Sequence, residues 1–144
     1  MRFERVLIAI DASPLAARAA QVGIELAHSL TAQIGFVHVI DPSLYFGPES
    51  GVAADELARQ ARQDGNRLFA EIRSQLPVGT EALEFTTQGS PGPAIVEAAR
   101  EWGADIIVIG SHGRRGITRA LVGSVAESVM RQSRCPVLVV RVIN

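Results

Sequence analysis

The sequence predicts an α/β fold: one doubly wound parallel sheet with helices on both faces. Three observations carry this expectation. Short apolar runs alternate with amphipathic stretches along the chain. Each strand-plus-helix unit takes about 30 residues, the length of a right-handed crossover connection. The runs "RVLIAI", "IGFVHVI" and "DIIVIG" lack the polar alternation of a strand with one wet face, so both of their faces are covered.

"RVLIAI" (5–10) is the first strand. Ser13-Pro14 suits a helix start, and Leu15, Ala19, Val22, Leu26 and Leu30 then recur at spacings of three and four, marking a buried helical face. "IGFVHVI" (34–40) is the second strand, and "DPSLYFGPES" (41–50) reads as a loop. Leu57, Ala61, Leu68, Phe69, Ile72 and Leu76 line one face of a long helix. "ALEFTT" (82–87) alternates and predicts a less covered, peripheral strand. "GSPGP" (89–93) is a turn whose Pro93 starts a helix running from Ile95 to Trp102. "DIIVIG" (105–110), a helix over 124–132 and "CPVLVVRV" (135–142) complete five strands. No linker, repeat or low-complexity tract interrupts them, so residues 1–144 read as a single domain.

Composition narrows the function. The chain is long enough to bury a core without disulfides or metals, and 47% of its residues are hydrophobic. A net charge of −1 gives no attraction to nucleic acid or an anionic membrane. All fourteen basic residues are Arg. The absence of Lys excludes a P-loop lysine, a Schiff-base lysine and a lysine general base. A lone Cys135 makes no intrachain disulfide and fits a reducing compartment. No apolar run approaches the roughly 18 residues of a membrane span. The expectation is a cytoplasmic protein.

One stretch stands apart. "GSHGRRGITRALVGS" (110–124) places four glycines and two serines just after the fourth strand. In open parallel sheets, ligands sit beyond the carboxyl ends of the strands. Asp11, Ala12 and Ser13 follow the first strand at that same edge, so both segments flank one crevice if strands one and four are neighbours. The residues alone leave that adjacency open. Glycines admit positive φ and let main-chain N–H groups approach a ligand, and a helix N-terminus beyond them favours an anion. Gly123 and Ser124 would then offer their amides and a hydroxyl to phosphate. A second reading competes. "SVAE" (124–127) fits a capping box, with Ser124 bonding the amide three residues on and Glu127 reaching back.

Gly110-x-x-Gly113, nine residues, then Gly123-Ser124 matches the G-2x-G-9x-G-(S/T) nucleotide signature of the universal stress protein family. The chain resembles that family throughout, from "VLIAIDAS" through "ADIIVIGSHG" to "SVAESVMRQSRCPVLVVR". The resemblance is to its ATP-binding branch. It implies a Rossmann-like sheet of order 3-2-1-4-5, which supplies the missing adjacency. It further implies that Gly110, Gly113, Gly123 and Ser124 hold ribose and phosphates and that Val125 adds an amide. Asp11 would lie by the nucleoside and Val39 against adenine; the match there is loose by one residue, so Ile40 is the alternative. The ligand would be ATP with accompanying Mg²⁺, or else AMP or cyclic AMP. A homodimer through the final strand (136–142) is also implied, and an apolar sheet edge invites such pairing.

Other residues carry two readings each. Ser13 is an N-cap or a ligand contact, roles that are compatible. Asp11 is a turn residue or a nucleoside contact. His112 reaches phosphate or points into solvent, and Arg114, Arg115 and Arg119 close over polyphosphate or line a solvated loop. Tyr45 and Phe46 form a lid, a subunit contact or core packing. Asp105 begins its strand, roughly 16 Å from Gly110 at about 3.3 Å per residue, and is rejected as a metal ligand. His28 and His38 look structural, Cys135 a buried inert thiol. With no carboxylate around the motif except distant Asp11, no catalytic residue is assigned and rapid turnover is not expected. The function expected is a nucleotide-binding regulatory module of the stress response. A slow ATPase and a nucleotide-independent interaction protein are the alternatives.

Overall fold

The computed structural model describes residues 2–11, 13, 16–45, 54–111 and 122–141. The chain runs β1 (Arg5–Ile10), α1 (Ala16–Leu30), β2 (Gln33–Ile40), α2 (Pro42–Tyr45), α3 (Ala54–Arg73), β3 (Ala82–Gln88), α4 (Pro91–Trp102), β4 (Ile106–Gly110), α5 (Ser124–Gln132) and β5 (Val137–Val140). Every pairing is parallel, and the strand order is β3-β2-β1-β4-β5. The doubly wound sheet and the neighbouring of β1 and β4 are as expected. No helix among the described residues is long and apolar enough to cross a membrane.

Alternate residues of each central strand enter two cores. Val6, Ile8, Ile34, Phe36 and Val108 pack beneath α1 and α3, with Ala20, Ile24, Leu68 and Phe69. Leu7, Val37, Ile107 and Ile109 pack on the opposite face, with Ile95, Ala99, Ala126 and Val129 of α4 and α5. Val6, Leu7, Ile8, Ile107 and Val108 are fully buried, each stabilising the fold by about 1.5–3 kcal/mol. Connections from β1 and β2 therefore lie on one face and those from β3 and β4 on the other. The winding reverses between β1 and β4, which opens a crevice at their carboxyl ends.

α3 buries Leu57, Ala61, Leu68, Phe69 and Ile72, as its spacing predicts, but ends at Arg73, so Leu76 packs half-buried beyond the helix; β3 is a partly covered edge. Elsewhere the structure corrects the sequence. α1 buries Ala16, Ala19, Ala20, Gly23, Ile24 and Ala27, and Val22 and Leu26 pack half-buried against the same core as their spacing predicts, whereas Leu30 is 39% exposed and Leu15 lies outside the described residues. The helix lies so close to the sheet that small residues make the contact. A Cβ on Gly23 would come within 2.7 Å of Ile8. Residues 41–50 are not all loop, because Asp41 accepts the Ser43 N–H at 3.0 Å and its hydroxyl at 2.8 Å, starting the short α2 with Pro42 as its first residue. α4 starts at Pro91 rather than Pro93, with Ser90 as N-cap. β5 is shorter than expected. The Ser133 hydroxyl donates to the Cys135 carbonyl at 2.7 Å and accepts the Cys135 N–H at 3.2 Å, which ties residues 133–135 into a turn. Cys135 is half-buried rather than buried.

Candidate functional site

Strand register assembles the site. Ile10 lies opposite His38, and Ile8 lies opposite Val108. Continuing these parallel registers sets Asp11 beside Val39 on one side and Ser111 on the other, with strands about 4.8 Å apart. Asp11, Val39 and Gly110 thus share one edge, at the point where the winding reverses.

The chain leaves β4 through Ser111, a buried residue whose N–H donates to the Val140 carbonyl at 2.8 Å. The Ser111 carbonyl in turn accepts the N–H of Gly123. That bond returns the chain to its point of departure, so residues 110–111 and 123–124 meet as the glycine pattern requires. It also corrects the expectation at Gly123, whose amide is already engaged by Ser111 and is not open to a ligand. Sequence reasoning missed Ser111; its only signal was a small residue next to Gly110.

Nor do Gly110 and Gly123 serve positive φ. Gly123 has φ −69° and ψ 162°, open to any residue, and the left-handed glycines among the described residues are Gly79, Gly89 and Gly103. Lack of a side chain, which permits close approach, is what remains to explain Gly110 and Gly123.

α5 begins with Gly123 as N-cap, its carbonyl accepting the Glu127 N–H at 3.0 Å. The capping box does not form. Ser124 is the first helical residue, no side chain among the described residues caps the helix, and the Glu127 carboxylate pairs with Arg131 at 2.6 Å. The amides of Ser124, Val125 and Ala126 lie in the first turn, where no intrahelical carbonyl can reach them. Together they carry about half a positive charge. Ser124 is exposed and Val125 half-buried. This helix end suits an anion.

On the facing wall, the Asp11 carboxylate accepts the Ser13 N–H at 2.8 Å, an Asx-turn that fixes the carboxylate at the strand end. Ser13 caps α1 only through its carbonyl, which accepts the Ala16 N–H at 3.2 Å. Val39 and Ile40 are both half-buried and face opposite sides of the sheet. Val39 packs toward α4 and α5, whereas Ile40 borders a hollow of about 270 Å³ with Arg62, Thr87 and Gln88. Ala12, His112, Gly113 and Arg114 lie outside the described residues, as do Arg115, Gly116, Arg119 and Phe46. Asp105 stands at the opposite edge, accepting the Glu4 and Arg5 N–H groups at 2.8 and 2.9 Å. His38 is buried edge-on to Phe69, and His28 is exposed on α1. Among the described residues no group of three His, Cys, Asp or Glu is placed to hold a metal ion.

Comparison with known proteins agrees with this architecture. The model of the universal stress protein family matches residues 2–141. A universal stress protein of Methanocaldococcus jannaschii is 31% identical, over 96% of this chain and 82% of its own. The Bacillus subtilis universal stress protein YxiE is 30% identical, over 96% and 99%. The solved structure of MJ0577, from Methanocaldococcus jannaschii, superposes with a TM-score of 0.86 at 29% identity, covering 100% of this chain and 99% of that one. A universal stress protein in complex with cAMP gives 0.74 at 26% identity, covering 97% and 98%. One from Archaeoglobus fulgidus in complex with dAMP gives 0.65 at 27%, covering 96% and 98%. This chain belongs to the universal stress protein family.

Proposed function

We propose that the chain is an adenine-nucleotide-binding regulatory module, with ATP as its ligand, that works as a homodimer in a stress response. The observation that carries this reading is the start of α5, capped by no side chain among the described residues and pinned beside the ends of β4 and β1 by the bond between Gly123 and Ser111. Two structural relatives, one in complex with cAMP and one with dAMP, support an adenine nucleotide.

In this reading the amides of Ser124 and Val125 and the Ser124 hydroxyl hold phosphate, at the positive end of the helix. Gly110, Gly113 and Gly123 leave room for ribose and phosphate to approach the main chain. His112 and Arg114 add donors from the loop, Asp11 and Ala12 bound the nucleoside, and Val39 packs against the base. Ile40 serves this role less well, since it faces the other side of the sheet. Among the described residues no carboxylate cluster offers a metal cage, so Mg²⁺ would arrive on the phosphates, as is usual for that ion. With no base among the described residues placed to orient water, slow hydrolysis is expected and binding is the working event. The dimer forms through β5, an edge strand whose Leu138 is 36% exposed.

Calorimetry with ATP, AMP and cyclic AMP tests the proposal, with sedimentation on the same sample. The expected result is saturable binding of ATP, negligible ADP release over that time, and twice the monomer mass. Absence of binding by every adenine nucleotide to folded protein would overturn the ligand. Prompt ADP release that Gly113→Val abolishes would make the chain an enzyme, and a persistent monomer would remove the dimer.

A further inference from the structure

At the amino ends of β2 and β3, the edge of the sheet away from the crevice, lies a hollow of about 460 Å³. Small-molecule sites run to roughly 300–1,000 Å³. Its floor is apolar, made by the buried side chains of Ile24, Ala27 and Ile34. Hydrogen bonds fix both walls. One wall is the end of α1, where the Ala32 N–H donates to the Ala27 carbonyl at 2.9 Å and the Thr31 N–H to the His28 carbonyl at 3.2 Å. The other is the turn 77–80, closed by the Thr80 N–H donating to the Pro77 carbonyl at 3.0 Å around Gly79 at φ 85°.

The end of α1 is a Schellman motif, whose turning position favours glycine. Thr31 holds it instead, at φ 52°, the one non-glycine residue with positive φ among the described residues. A β-branched side chain is strained there. Packing does not explain it, because Thr31 is exposed, and its hydroxyl makes no hydrogen bond among the described residues. What the side chain does is line the hollow. The rim also carries Glu81, which forms no ion pair among the described residues. The closing carbonyls of α1 add about half a negative charge. Arg5 meets Gln33 at this edge, but its guanidinium is engaged by the Trp102 carbonyl at 2.6 Å.

We propose that this hollow is a ligand site separate from the crevice, and that it takes a small organic cation, a primary ammonium on an apolar body. The body covers Ile24, Ala27 and Ile34. The ammonium donates to the Glu81 carboxylate and the Thr31 hydroxyl. A nucleotide is excluded here, since Glu81 and the end of α1 repel its phosphates. The inference stands whether or not the crevice binds ATP.

Tryptamine, tryptophol and indolepropionate share one apolar body and differ in a cationic, neutral or anionic head, so they test the proposal. Each is titrated into isotope-labelled protein at neutral pH while amide NMR shifts are followed. Tryptamine should saturably move the amides of residues 24–34 and 77–81, tryptophol should bind more weakly, and the anion should not bind. Glu81→Gln should weaken tryptamine about fivefold, the upper end for an exposed ion pair, and leave tryptophol unchanged. Thr31→Gly should melt above the wild-type temperature, because strain is relieved, and yet bind tryptamine more weakly. Equal affinity for tryptamine and tryptophol, shifts confined to other residues, or no shift at all would overturn the proposal. So would a Thr31→Gly variant that melts below wild type or binds tryptamine unimpaired.

Discussion

Asp11 and Asp105 are the same residue at opposite ends of neighbouring strands, and their surroundings give them different work. Asp105 accepts two main-chain N–H groups, from Glu4 and Arg5, and so ties the start of β1 to the approach to β4. Asp11 accepts the Ser13 N–H, at the crevice. Replacing Asp105 with Ala should cost about 1–3 kcal/mol in chemical denaturation while leaving ATP affinity unchanged. A variant of undiminished stability, or one with weakened ATP binding, would contradict this division. Asp105 could be placed from sequence because strand rise alone separates it from Gly110. The partner of the Gly123 amide could not. Its acceptor, Ser111, lies twelve residues back, and only the closed loop reveals the bond. The capping box, one of the two readings open at Ser124, does not form, because the N-cap falls on Gly123, one residue before the serine that this local pattern needs.

At the scale of elements, α4 matters because α5 leans on it. A Cβ on Gly92 would lie 2.2 Å from the Ser128 hydroxyl oxygen and 2.7 Å from the Ser128 Cβ. Both atoms sit close to the α5 backbone, so relief requires the helices to part. Gly92→Ala should therefore destabilise the fold by about 1–3 kcal/mol, the usual penalty of overpacking, and weaken ATP binding by tilting the start of α5. Denaturation midpoints and calorimetry check both effects; an unchanged midpoint would mean that α5 is not braced there. The buried strands were readable because a continuous apolar run has one good use in this fold. The contact face of α1 was readable only in part: Ala19, Val22 and Leu26 do meet the core, but spacing ranks large residues above small ones and so passed over Ala16, Ala20, Gly23 and Ala27, which make the closest approach. α2 was missed although Asp41-Pro42 is a helix-start signal, because four residues show no period.

For the whole molecule, alternating strands and helices specified a parallel sheet, but the order of its strands came from family resemblance before the structure bore it out. That order decides function, since reversal of the winding between β1 and β4 brings two distant segments to one crevice. The central claim is that the main chain at the start of α5 grips the phosphates. Calorimetric titration of ATP into Gly123→Val tests it most directly, because the backbone at Gly123 (φ −69°, ψ 162°) accepts valine without strain. The account predicts a folded protein with an unchanged melting temperature and an ATP affinity reduced by about tenfold or more, at least 1.4 kcal/mol. A folded variant that binds ATP as tightly as the wild type would contradict it.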